Sequence, residues 1–162
     1  MRLALLLALS LALVACDSTD DAGGEACAAL GLTSTGSMTA TAPGGSFRAA
    51  CVTGQATGNS IALGGLENVD GSAGATQRQI NISVFGASPG DYAVGGAGLG
   101  AVVTYADVDL ANPAAGTFAG TSGTVTVDEA SPTGASGSFS FQARNNAGQT
   151  VTVSGGSFEI TF

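Results

Sequence analysis

Gly137-Ser138-Phe139-Ser140-Phe141-Gln142-Ala143-Arg144-Asn145-Asn146-Ala147-Gly148, followed by Val151-Thr152-Val153-Ser154-Gly155-Gly156-Ser157-Phe158-Glu159-Ile160-Thr161-Phe162, is the stretch that decides the fold. Phe139, Phe141 and Ala143 alternate with Ser140, Gln142 and Arg144, the period of a strand with one face buried and one in water. The Asn-Asn-Ala-Gly tract supplies a turn, so the returning strand makes an antiparallel hairpin over residues 138–155 with Phe139, Phe141, Val151 and Val153 inside. Val151 and Val153 are odd-numbered, whereas Phe158, Ile160 and Phe162 are even-numbered. A strand cannot change its buried face without an extra residue, and Gly155-Gly156 stands where the parity flips. It reads as a β-bulge, with a tight turn as the alternative.

The same alternation extends upstream. Val125 and Val127 follow Gly120-Thr121-Ser122-Gly123, which reads as a turn. Val103 and Tyr105 lie on one parity, with Val102 and Thr104 on the other. Ile80, Ile82 and Val84 alternate with Asn81 and Ser83, and Ile61 and Leu63 begin an earlier run. Phe47, Ala49 and Cys51 share one face of a candidate strand, which points Cys51 inward. Helix signals are nearly missing. The expectation is all-β: a single antiparallel β-sandwich or small closed β-barrel of about eight to ten short strands. Closure would remove strand edges, which no lysine is present to guard.

The domain occupies residues 37–162, and what precedes it is different in kind. Arg2, an apolar run from Leu3 to Val14, and then Leu13-Val14-Ala15-Cys16 resemble the signal peptide and lipobox of bacterial lipoproteins. The resemblance implies removal of residues 1–15 and lipid on Cys16, which becomes the first residue of the mature chain. The run is shorter than the ~20 residues of a membrane-spanning helix. Residues 16–36 then form an acidic, Gly- and Ser-containing tether, in which about ten residues reach at most ~35 Å. Its acids, Asp17, Asp20, Asp21 and Glu25, are read either as simple solvation of a linker or as a sorting signal. Acids directly after the cysteine resemble surface-export signals in some Gram-negative groups, and Asp at that place resembles an inner-membrane retention signal in others. The expected location is the cell envelope, with the outer membrane or cell surface favoured over the inner membrane.

Three cysteines become two once Cys16 carries lipid. In an oxidising compartment Cys27 and Cys51 are expected to form a disulfide, with two buried thiols as the alternative. Gly123-Thr124-Val125-Thr126-Val127, Gly137-Ser138-Phe139-Ser140-Phe141-Gln142-Ala143 and Val151-Thr152-Val153-Ser154-Gly155-Gly156-Ser157-Phe158 resemble a family of small all-β lipoproteins of unassigned function. Met38-Thr39-Ala40 and Phe47-Arg48-Ala49 look like that family's opening strand pair. The resemblance implies the fold and the anchoring, and no catalytic residue.

Composition restricts the chemistry. Four basic residues face twelve acids, and histidine and tryptophan are absent. Nucleic acid is excluded as a partner, because its affinity rests on Lys and Arg neutralising phosphates. Without histidine the chain lacks the commonest general base and metal ligand. Asp107 and Asp109 share a strand face beside Tyr105, and with Asp70 or Asn112 could be imagined around calcium. No regular Asp-rich loop accompanies them, so solvated strand-end acids explain them better. Asp128-Glu129, before Ser131-Pro132, would need one carboxyl kept protonated by burial to act as a glycosidase pair. The glycines Gly64-Gly65, Gly95-Gly96 and Gly98 lack the lysine and helix of a phosphate loop and read as turns. No catalytic residue, metal or cofactor is assigned. The expected role is a non-enzymatic binding or structural module held at the membrane by Cys16, its partner an envelope protein, a glycan or a small apolar ligand. A carboxylate-dependent envelope hydrolase and a barrel carrier of a small apolar ligand are the alternatives.

Overall fold

The computed structural model describes residues 27–28, 30–67, 77–96, 100–108 and 116–162. Cys16 and residues 17–26 lie outside them, as do Asp70, Gly98, Asp109 and Asn112. Ten strands make up the described fold: β1 (Gly36–Ala42), β2 (Gly45–Arg48), β3 (Cys51–Thr57), β4 (Ser60–Glu67), β5 (Gln77–Val84), β6 (Gly90–Ala93), β7 (Ala101–Val108), β8 (Thr117–Ser131), β9 (Gly134–Arg144) and β10 (Thr150–Thr161). All ten named strands pair antiparallel in one sheet of order β2-β1-β10-β9-β8-β7-β5-β4-β3, with β6 added on β8. The all-β, antiparallel expectation holds, in the form of a single sheet curled into a half-barrel.

The hairpin that set the fold is β9–β10. Val151 stands opposite Ala143 and Val153 opposite Phe141. Asn145 and Gly148 close the turn, the Gly148 amide donating to the Asn145 carbonyl at 3.0 Å. The register shifts between Val153 and Gly156, so Gly155-Gly156 is a bulge. Gly155 has φ +58°, and a Cβ on Gly156 would lie 2.3 Å from the Phe139 ring. Only glycine passes there.

Two sequence readings are corrected. Gly120-Thr121-Ser122-Gly123 is not a turn but the bulged middle of the 15-residue β8. Cβ atoms there would strike Val103 and Val94 at Gly120, and Ser140 and Phe141 at Gly123. Gly64-Gly65 likewise sits inside β4, where a Cβ on Gly65 would lie 2.7 Å from Met38 Sδ. Gly65 lets Met38 of β1 pack closely on β4, and Gly120 and Gly123 make room for side chains and backbone of the strands paired with β8.

Residues 47–51 are not one strand. The Ala49 amide donates to the Met38 carbonyl on β1 at 3.0 Å, and the next amide, of Ala50, donates to Leu66 on β4 at 2.8 Å. Consecutive residues therefore join the two ends of the sheet, β2 and β3, at a corner. Phe47 and Cys51 remain buried on either side of it. Successive contacts carry β1 across β3, β4 and β5: Thr35 donates to Val52, Met38 packs on Gly65, and Arg78 reaches Pro43. The two halves of the sheet thus cross rather than align, as strands do when a corner passes them from one layer to the other.

Between the halves lies one apolar cluster, including Ile61, Leu63, Ile80, Ile82, Val84, Val103, Val125, Val127, Phe139, Phe141, Phe158 and Ile160. Burying each such side chain contributes about 1.5–3 kcal/mol. Tyr105 and Phe118 rings meet at 6.0 Å between centroids, and Phe139 and Phe141 at 6.1 Å.

Candidate functional site

The inward face of a strand ends where its alternation ends, and on three neighbouring strands it ends on a charge. Glu67 continues the parity of Ile61 and Leu63, Arg78 that of Ile80, Ile82 and Val84, and Asp107 that of Val103 and Tyr105. Register then aligns them, Glu67 opposite Arg78 and Arg78 opposite Asp107. The row lies at the end of the half-barrel where the turn between β1 and β2 folds over it.

Arg78 is held on four sides. Its Nε donates to Glu67 Oε2 at 2.6 Å, Nη1 to the Pro43 carbonyl at 3.1 Å and Nη2 to the Ser46 carbonyl at 2.6 Å. Its guanidinium carbon lies 6.0 Å from the Phe47 ring centroid, within cation–π range. Glu67 uses its other oxygen, Oε1, to accept from the Arg48 amide at 3.0 Å. The carbonyl of Ser46 and the amide of Arg48 face away from β1, so the ion pair satisfies backbone groups on the free edge of β2. Here is the edge protection that the missing lysines left open.

Asp107 and Tyr105 complete the cluster. Asp107 was expected to be a solvated strand-end acid, yet its Oδ1 is buried and, like the Tyr105 hydroxyl, has no hydrogen-bond partner among the described residues. The correction follows from parity, since Asp107 points to the same side as the fully buried Tyr105. Burial, and then the Asp107 carboxylate, push the Tyr105 phenol up to about 12, with Arg78 acting in the opposite direction.

The remaining sequence candidates are placed differently. Asp128 and Glu129 are exposed on β8 beside a register shift. Glu129 instead shares a shallow recess of about 210 Å³ with Glu159, across Ser136 on β9. Gly95 takes the φ of +74° that a turn requires. Cys27 and Cys51 lie at disulfide distance, with Cα atoms 5.0 Å apart and both residues buried. Among the described residues no group of three or more His, Cys, Asp or Glu gathers as metal ligands, and no helix is long and apolar enough to cross a membrane. Phe47, Phe118, Phe139, Phe141, Phe158, Ile61, Ile80, Ile82 and Ile160 are buried together in the apolar cluster.

With this geometry in view, comparison with known families gives one result. A family described as a domain of unknown function, DUF6252, matches residues 34–160. The chain belongs to this family. Searches of curated proteins and of solved structures return no significant match. The DUF6252 match runs from just before β1 to the penultimate residue of strand β10, so it includes the whole Glu67–Arg78–Asp107 row. Sequence reading missed Glu67, Arg78 and Glu159 as paired groups. For the first two the signal was available: each extends the buried parity of its strand by one step.

Proposed function

We propose that this DUF6252 chain is a lipid-anchored lipoprotein of the cell envelope, acting as a non-enzymatic binding or structural module. The observation that carries the reading is Leu13-Val14-Ala15-Cys16 after a short apolar run. The Cys27–Cys51 pair at disulfide distance supports an exported, oxidising location. The charges inside the half-barrel support a structural role, because Glu67 and Arg78 spend their hydrogen bonds on each other and on backbone. Tethering suits a module of this kind, since a domain held at one surface meets nearby partners at high effective concentration. The test is metabolic labelling with an alkyne fatty acid. Wild-type chain should be labelled, and Cys16→Ser should be unlabelled and keep residues 1–15. Labelling of the variant would refute the anchor.

One observation favours a second reading, a carboxylate-dependent hydrolase. Glu129 and Glu159 line one recess from strands two apart, a backbone separation of about 10 Å. Both are exposed on their strands. A screen on glycan, ester and peptide substrates decides between the readings. Turnover that disappears in Glu129→Gln or Glu159→Gln would establish the hydrolase.

A further inference from the structure

Five large hydrophobic side chains are exposed among the described residues, and three of them belong to segments that meet at one place. Leu30 and Leu32 are 47% and 48% exposed, and Phe162 is 37% exposed. Leu30 and Leu32 are folded back on Cys27, their amides both donating to the Cys27 carbonyl at 3.0 and 2.8 Å. Gly31, at φ +69°, separates the two leucines. Three residues on, Thr35 donates to Val52 and accepts from Thr161 at 2.7 Å in each case, so the start of the domain is stitched to its last strand. Phe162 follows directly, its amide donating to the Thr133 carbonyl. Cys27, bonded to Cys51, fixes this corner to β3.

The same corner receives the tether. From Cys16 to Cys27 the chain has about ten intervening residues, a reach of at most ~35–40 Å when fully extended. Resting on the anchoring reading above, we propose that the corner bearing Leu30, Leu32 and Phe162 is a lipid-contacting face, seated at the headgroup and acyl boundary of the membrane that holds Cys16. Exposed apolar side chains gain by entering that boundary, and the short tether keeps them within reach of it. A formal charge of −8 gives no attraction to anionic headgroups, so the matching surface is zwitterionic.

The chain has no tryptophan, which makes single tryptophans clean probes. Chains expressed from the full sequence with Leu32→Trp, Phe162→Trp or Val102→Trp, and purified as the cell processes them, are mixed with phosphatidylcholine vesicles, with and without shallow brominated acyl chains, and floated. All three positions are exposed, so folding is little affected, and thermal unfolding checks this. Tryptophan at 32 and 162 should lose about half its emission on bromination, as side chains buried ~5–10 Å into the boundary would, while that at 102 stays unchanged. Flotation with the vesicles but no quenching at 32 and 162 overturns the lipid-contacting face and leaves the anchor intact. Equal quenching at all three sites also overturns it, since the domain then has no preferred face. Failure to float overturns the anchor and the face together.

Discussion

Arg78 Nε donates to Glu67 Oε2 at 2.6 Å, and the two side chains together occupy the free edge of β2 in place of another strand. Each is mostly buried, with 15% of the side chain exposed. Replacing Arg78 with Met should destabilise the domain by about 3 kcal/mol, because it leaves Glu67 charged and two edge carbonyls unpaired. Urea unfolding measures the loss. Hydrogen exchange at the Arg48 amide should accelerate in Glu67→Gln as its acceptor weakens.

The hairpin supplies a test of face assignment. Phe141 is buried and Arg144 exposed three residues later on the same strand. Phe141→Ala should cost about 3–5 kcal/mol, and Arg144→Ala should stay within about 0.5 kcal/mol. Equal effects in denaturant titrations would contradict the packing.

Gly123 separates a turn from a bulge. Its φ is +133°, and a Cβ would lie 2.3 Å from the Ser140 carbonyl oxygen. Gly123→Ala should therefore destabilise by about 2 kcal/mol or more through strain and overpacking. An open turn would tolerate alanine with little change in melting temperature.

Tyr105 predicts the alkaline limit of stability. Its phenol titrates near 10.0 when unfolded and is pushed up to about 12 in the fold. Between these values the folded chain holds the proton that the unfolded chain has lost, so this contribution to stability is complete below pH 10 and falls as pH rises toward 12. Tyr105→Phe should flatten the decline of urea midpoint over that window.

Cys27 and Cys51 are 24 residues apart in sequence, and their bridge should be found as a linked pair in a non-reduced digest. Its removal by Cys27→Ser with Cys51→Ser should cost roughly 3 kcal/mol in the chain-entropy model, read as a lowered unfolding midpoint.

Parity alone determined much of this protein. Alternation at Phe139–Phe141, Val125–Val127, Ile80–Val84 and Val103–Tyr105 specifies which side of each strand is buried, because successive side chains must point to opposite faces. The flip at Gly155-Gly156 specifies a bulge for the same reason. What parity cannot specify is what a strand meets across the core. Gly64-Gly65 and Gly120–Gly123 read locally as turns, and only the tertiary structure shows that Met38 of β1 packs on Gly65 from outside its pairing and that Val103 and Phe141, on the strands paired with β8, occupy the space side chains at Gly120 and Gly123 would need. The corner at Ala49-Ala50 is decided the same way, by hydrogen bonds to β1 and β4 that are distant in sequence. So is the pairing of Glu67 with Arg78: each residue announces its face, but only the register of β4 on β5 and the closing turn of β1–β2 bring the charges together and bury them.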